Sequence, residues 1–234
     1  MNTFTYNSTA SSTYGIFIEH RPVVSFPQRV IESIAIPGRS GNLLYDTGAY
    51  ANVTVTYQVA YKDPGNVRKN ARDIATWLYQ TDYRELTDTY DPLYYRKGVF
   101  VSPLGVADVL NVAGRANITF ECKPQRYLIS GKSALTPAKN SSITNDYQDA
   151  LPVITVNGSG NGTLTVGGTT VTITGQTAAI VLDSERQTAE SGGANANSKI
   201  SLSNGFPVLK HGSTTVTWTG GVTGISVVPN WWTL

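Results

Sequence analysis

The sequence predicts a mainly β protein built in two halves, the first mixing strands with one α-helix and the second a β-sandwich. Three observations predict it. Residues 51–61 alternate strictly, with Ala51, Val53, Val55, Tyr57, Val59 and Tyr61 on one face and Asn52, Thr54, Thr56 and Gln58 on the other, which is the period of a half-buried strand. A single helical stripe follows directly after it. Beyond Gln148 the chain is dense in Gly and Thr, with short apolar runs separated by turn residues, the spacing of a sandwich.

The elements follow in order. Residues 15–19 and 29–36 read as strands, and the Pro37-Gly38-Arg39-Ser40-Gly41 cluster as a turn. After the alternating strand, Asp63 suits an N-cap and Pro64 the first helical position. Val67, Ala71, Ile74, Ala75 and Leu78 then form one apolar stripe, widened by Trp77. One helix covering one face of a sheet is the simplest packing for this half. Residues 86–95 and 99–101 read as a hairpin turning at Arg96-Lys97-Gly98. Ile118, Phe120 and Cys122 alternate to close the domain, and Pro124 stops the strand.

Residues 128–148 are poor in large apolar side chains and read as a linker. The expected domains are therefore 1–127 and 149–234. In the second, strands are expected at 153–156, 164–166, 171–173, 179–182, 200–202, 215–218 and 225–228. Asn157-Gly158, Asn161-Gly162 and Gly167-Gly168 read as hairpin turns, and residues 191–197 as an exposed loop.

Composition narrows function. The 234 residues include 40% hydrophobic and 15% charged side chains, a globular composition whose charge falls below the roughly 25% of an average domain. Such a lean surface suits coverage by partners. The net charge is +2 and no Lys/Arg run exceeds two residues, so no phosphate-neutralising stripe exists and nucleic-acid binding is not expected. Neither a leader pattern nor an apolar run of roughly 18 residues occurs, so the reading is a cytoplasmically made chain without membrane insertion. Cys122 is the single cysteine; with no His beside it in sequence it reads as a small buried hydrophobe.

Catalytic constellations are absent from the pattern. Asp183 and Glu185 have the spacing of one strand face, but with Asp149 and Glu190 they read as solvated acids, not a facing pair for glycoside hydrolysis. His20 and His211 are the only histidines, and no Gly-x-Ser-x-Gly elbow accompanies them. The 158–162 glycine cluster lacks the Gly-Lys-Ser/Thr ending of a phosphate loop. No catalytic, metal or cofactor site is expected. Thirteen tyrosines and four tryptophans leave two uses for aromatics: core packing, favoured for Trp218, or contact with a partner.

Taken as an ordered set, the motifs resemble the distal tail proteins of siphophages. The first half carries Ile36-Pro37-Gly38-Arg39-Ser40-Gly41, then Gly48-Ala49-Tyr50, the long alternating strand and the helix over 63–80. The second carries Leu151-Pro152-Val153-Ile154, Ile180-Val181-Leu182-Asp183-Ser184-Glu185, Gly205-Phe206-Pro207-Val208-Leu209, His211-Gly212 and the closing Val228-Pro229-Asn230-Trp231-Trp232. One departure is Ser213, where family members often have Asn. The resemblance covers nearly the whole chain and implies a short member without an inserted carbohydrate-binding module.

The family implies an N-terminal β-sandwich with a helix and an extended hairpin, six of which close into a ring, single or stacked. It implies a C-terminal galectin-like or jelly-roll-like sandwich that projects outward. The ring would join the tail tube protein to the tail-associated lysin or tail fibre protein at the virion tail tip and hold receptor-binding proteins, with DNA passing through it. On that reading Pro37, Gly38, Arg39, Tyr45, Tyr50, Tyr94 and Tyr95 are candidate subunit contacts, and Trp232 a candidate partner-facing aromatic. A tail tube protein is a close variant. A different reading, a carbohydrate-binding adhesion module, rests on the sandwich and its aromatics.

Overall fold

The computed structural model describes residues 1–61, 64–102 and 114–234, with backbone alone for 64–69. They divide into two compact units, Met1–Arg126 and Tyr127–Thr233.

The first unit contains β1 (Phe4–Tyr6), β2 (Thr9–Ala10), β3 (Ile16–Ile18), β4 (Arg29–Ile34), β5 (Leu43–Tyr50), β6 (Val53–Tyr61), α1 (Pro64–Leu78), β7 (Arg84–Asp88), β8 (Tyr94–Phe100) and β9 (Arg115–Cys122). One sheet runs in the order β2-β1-β7-β8-β9-β6-β3, while β4 and β5 pair only with each other. The alternation in β6 is realised: Val53, Val55, Tyr57, Val59 and Tyr61 are all buried. The sheet curls until its distant strands meet, so that Phe4 of β1 stacks on Tyr57 of β6 at 4.8 Å between ring centres. Phe120 packs against both rings from β9. The helix closes this core with Ile74, Trp77 and Leu78, and the Trp77 indole N–H donates to the Tyr6 carbonyl at 2.8 Å. Asp63 and the side chains of Pro64 and Val67 lie outside the described residues.

The β7–β8 hairpin turns elsewhere than the sequence suggests. Arg96, Lys97 and Gly98 sit inside β8, opposite Leu86, Glu85 and Arg84. The turn falls after Asp88, whose carboxylate accepts the backbone N–H groups of Tyr90 and Asp91 at 2.9 and 3.1 Å, the turn chemistry of an Asx residue. Gly98 serves packing instead: a Cβ there would lie 2.9 Å from the Cys122 sulfur.

β10 (Arg126–Leu128) leads into the second unit, which continues with β11 (Ser141–Asn145), β12 (Val153–Val166), β13 (Thr169–Gln176), β14 (Ile180–Asp183), β15 (Thr188–Ser191), β16 (Ala194–Asn195), β17 (Ile200–Leu202), β18 (Gly212–Val228) and β19 (Trp232–Thr233). Within the 128–148 stretch expected as a linker, β11 pairs along its whole length with β18, and Ile143 and Asn145 are buried. Residues 191–197 are no simple loop either: β15 and β16 form a small hairpin, and Ala196 is buried.

The largest revision concerns 157–162. These residues are not a hairpin turn. They are the bend of one long strand, β12, which stays paired with β18 from Val153↔Val228 to Val166↔Val216 through two register shifts. Before the bend β12 neighbours β14, and after it β13. The bent ribbon thus belongs to both leaves of a sandwich, whose single core takes Ile154 and Leu182 from one side and Leu164, Val171 and Trp218 from the other. Glycine is required here because the backbones touch: a Cβ on Gly221 would lie 1.7 Å from the Ser159 carbonyl oxygen, and one on Gly158 would lie 2.2 Å from that of Gly221. The Gly167-Gly168 turn joins β12 to β13 as its sequence suggests.

Candidate subunit interface

Among the described residues, the β4–β5 ribbon contributes none to the first unit's core. Its sequence, Arg-Val-Ile-Glu-Ser-Ile facing Leu-Leu-Tyr-Asp-Thr-Gly-Ala-Tyr, is a good strand former on both sides. Pairing runs Ile34↔Leu43, Ser33↔Leu44, Glu32↔Tyr45 and Ile31↔Asp46, then shifts to Arg29↔Tyr50. The extra residues form a bulge held by side chains. Thr47 Oγ1 donates to the Val30 carbonyl at 2.8 Å, Gly48 N–H donates to Asp46 Oδ1 at 3.0 Å, and Arg29 pairs with Asp46 at 2.5 Å. At the tip the Arg39 N–H donates to the Ile36 carbonyl, with Gly38 at φ 79°, a left-handed position that favours glycine. At the root the Ala51 N–H donates to the Gln28 carbonyl.

Opposed residues in an antiparallel pair share a face. One face therefore presents Ile31, Ser33, Leu44 and Asp46, the other Glu32, Ile34, Leu43 and Tyr45. Both are open: Leu44 is 66% exposed, Tyr45 59%, and Ile31 and Ile34 48% each. The irregular segment before β4 also exposes apolar side chains, with Val23 and Phe26 82% and 75% exposed. A two-stranded ribbon with no core beneath it is marginal in water, and contiguous exposed apolar surface marks a contact site.

Of the expected contacts, Pro37, Gly38, Arg39 and Tyr45 lie on this ribbon and are exposed, and Tyr50 ends it half-buried. Tyr94 and Tyr95 do not join them. Tyr95 is 7% exposed and turns into the unit's own interior, and the Tyr94 ring is covered by the Arg126 guanidinium at 3.9 Å. Both sit in β8, where alternation aims every second side chain inward. Trp232 is half-buried, its indole N–H donating to the Asp149 carbonyl at 2.9 Å. Sequence reading missed Val23, Val24 and Phe26. The signal was present, since an apolar run bracketed by Pro22 and Pro27 cannot donate regularly to a central ladder.

Two of the acidic candidates, Asp183 and Asp149, have local structural partners. Asp183 Oδ1 accepts the backbone N–H groups of Glu185 and Arg186 at 3.0 and 2.9 Å. Asp149 accepts from Lys210 Nζ at 2.7 Å and from the His211 N–H at 2.9 Å; the Lys210 hydrogen bond chiefly holds its carboxyl below the usual range. His211 Nδ1 lies 2.9 Å from the Tyr147 carbonyl, so the His211-Gly212 motif fastens a turn. Cys122 is buried in the core, and burial pushes its thiol up to about 12, far from a nucleophile's range. Among the described residues no cluster of His, Cys, Asp and Glu is arranged to hold a metal ion.

No family model matches the chain, and no curated protein matches it in sequence. In structure it is similar to the Dit protein of phage SPP1, reported as a paradigm of the hub adsorption apparatus in phages infecting Gram-positive bacteria. The two share 11% identity over 97% of this chain and 98% of that one, with a TM-score of 0.74. At that identity the likeness is one of fold, and both units of this chain share it.

Proposed function

We propose that this chain is a structural, ring-forming distal tail protein of a phage or prophage-derived tail tip. Six copies close a ring through their first units and join the tail tube protein to the tail-associated lysin or tail fibre and receptor-binding proteins. The ribbon of β4 and β5 carries the proposal: it is well formed, exposes large apolar side chains on both faces and pairs with no other strand among the described residues. A closed ring needs a patch that meets a different patch on the next copy, and a projecting ribbon supplies one. The fold likeness to the SPP1 protein along nearly the whole chain supports the tail assignment.

The test is the mass of the purified chain by light scattering over a concentration series, with negative-stain images of the heaviest species. Closed rings are expected. Deleting residues 40–47, which removes the end of the turn and most of β5, should leave a monomer whose second unit melts unchanged. Normal assembly of that deletion would remove the ribbon from the interface.

A further inference from the structure

A second feature of the first unit lies on its main sheet, beneath the segment that precedes the ribbon. Two small adjoining cavities share a floor of Val55, Asp88, Asp91, Arg96 and Arg126. The larger, of about 100 Å³, is roofed by residues 21–25 and brings in Arg21. On the same measure roughly 10–15 Å³ holds one water, so this cavity admits a group of several atoms.

Its charges do not cancel. Three arginines, Arg21, Arg96 and Arg126, face two aspartates, Asp88 and Asp91, and the aspartates are already engaged. Asp88 Oδ2 accepts the Tyr57 hydroxyl at 2.9 Å while its Oδ1 takes the Tyr90 and Asp91 N–H groups. Asp91 Oδ2 accepts both Nε and Nη2 of Arg126, at 3.0 and 2.5 Å. Arg126 is further fixed under the Tyr94 ring. Arg96 is left over. Its Nη1 is shut off from solvent and has no hydrogen-bond partner among the described residues. Burial pulls its guanidinium below the usual value. A guanidinium nitrogen withdrawn from water without an acceptor is costly, and the planar fork of the half-buried Arg96 side chain matches the two oxygens of a carboxylate or phosphate.

We propose that this cavity is an oxyanion site in which Arg96, seconded by Arg21, binds one carboxylate or phosphate group beneath the 21–25 segment. Asp91 and Tyr94 position Arg126 as the fixed wall. Free anion and a carboxylate side chain of a second copy supply the same chemistry, and the experiment separates them.

Thermal unfolding of the full chain is followed in sodium chloride and in sodium phosphate or acetate at matched pH and ionic strength. Each condition is paired with light scattering, for the wild type, Arg96→Gln and Arg21→Gln. If free anion fills the site, phosphate raises the wild-type midpoint saturably, by about 2–4 °C at a few times the dissociation constant. Arg96→Gln loses the rise, and Arg21→Gln needs several-fold more phosphate. If a second copy supplies the carboxylate, added anion instead dissociates the wild-type oligomer, and Arg96→Gln is dissociated in chloride alone. Arg21 is exposed, so Arg21→Gln decides the matter even if Arg96→Gln fails to fold. Identical midpoints and masses for wild type and Arg21→Gln in every salt would overturn the site.

Discussion

β5 and β6 are consecutive strands of one chain, separated by two residues, and each carries two tyrosines among aliphatic and Thr residues. Their fates are opposite. In β6 every second side chain is sealed into a core of stacked aromatics, and Tyr57 is 2% exposed. In β5 the strand lies in a ribbon open on both faces, and Tyr45 is 59% exposed. β-Propensity and pairing therefore account for both strands, yet only one is stabilised by its own chain. The difference teaches that a strand's fitness says nothing about where its partner lies. For β5 the missing face belongs to another molecule on the proposed reading.

Substituting the buried tyrosine gives the largest expected effect. Tyr57→Ala removes the ring stacked on Phe4 and edged by Phe120, together with the hydroxyl donated to Asp88. A truncation of that size in a closed core costs about 3–5 kcal/mol, and the orphaned Asp88 oxygen adds to it. Chemical denaturation of the monomeric deletion variant would measure it without interference from assembly. A loss below about 1 kcal/mol would mean that the first unit's core is far looser than its packing indicates.

How far the sequence could be read follows the same division. Alternation over 51–61, the helix stripe and Gly167-Gly168 were legible because each is a local pattern with one physical outcome. Arg96-Lys97-Gly98 misled because Gly has two uses, turning a chain and admitting a neighbour; the Cys122 sulfur that decides between them is 24 residues away. The 157–162 segment misled for the same reason, since its glycines let two backbones pass within touching distance along a continuous ribbon. In the ribbon, the strand over 29–36 and the turn at 37–41 were legible. Val23, Val24 and Phe26 went unread, although Pro22 and Pro27 on either side already argued against a central strand; how far each is exposed is a property of the folded surface. Alternation within β8 aims Tyr95 inward, while Tyr94 on the opposite face is half-buried against Arg126.

Between the buried and the open tyrosine lies a third case, a polar contact that is exposed but internal to the chain. Asp149 ties Lys210 and the His211 N–H across the end of the second unit. Asp149→Asn should cost up to about 1 kcal/mol, as exposed pairs do. Because the folded carboxyl is held below its ordinary value of 3.8, its contribution is present above that pH and fades as pH falls through the lower folded value. Melting curves of wild type and Asp149→Asn should therefore converge below pH 3.8. A gap that persisted unchanged under acid would show that the charge is irrelevant and only the backbone hydrogen bond counts.

The smallest effect on stability, and the sharpest on assembly, is expected from the open tyrosine. Tyr45→Ala leaves the ribbon's backbone pairing with Glu32 intact and removes a ring that touches mainly solvent. The monomer's midpoint should move by an amount worth no more than about 0.5 kcal/mol. The same ring shares its face with Ile34, Leu43 and Glu32, and an aromatic anchor typically carries about 2 kcal/mol or more of an interface, roughly thirtyfold in the association constant. Light scattering on Tyr45→Ala should show the monomer persisting at concentrations where the wild type has assembled. Wild-type assembly combined with a destabilised monomer would reverse the contrast, making Tyr45 a fold residue and β5 no different in kind from β6.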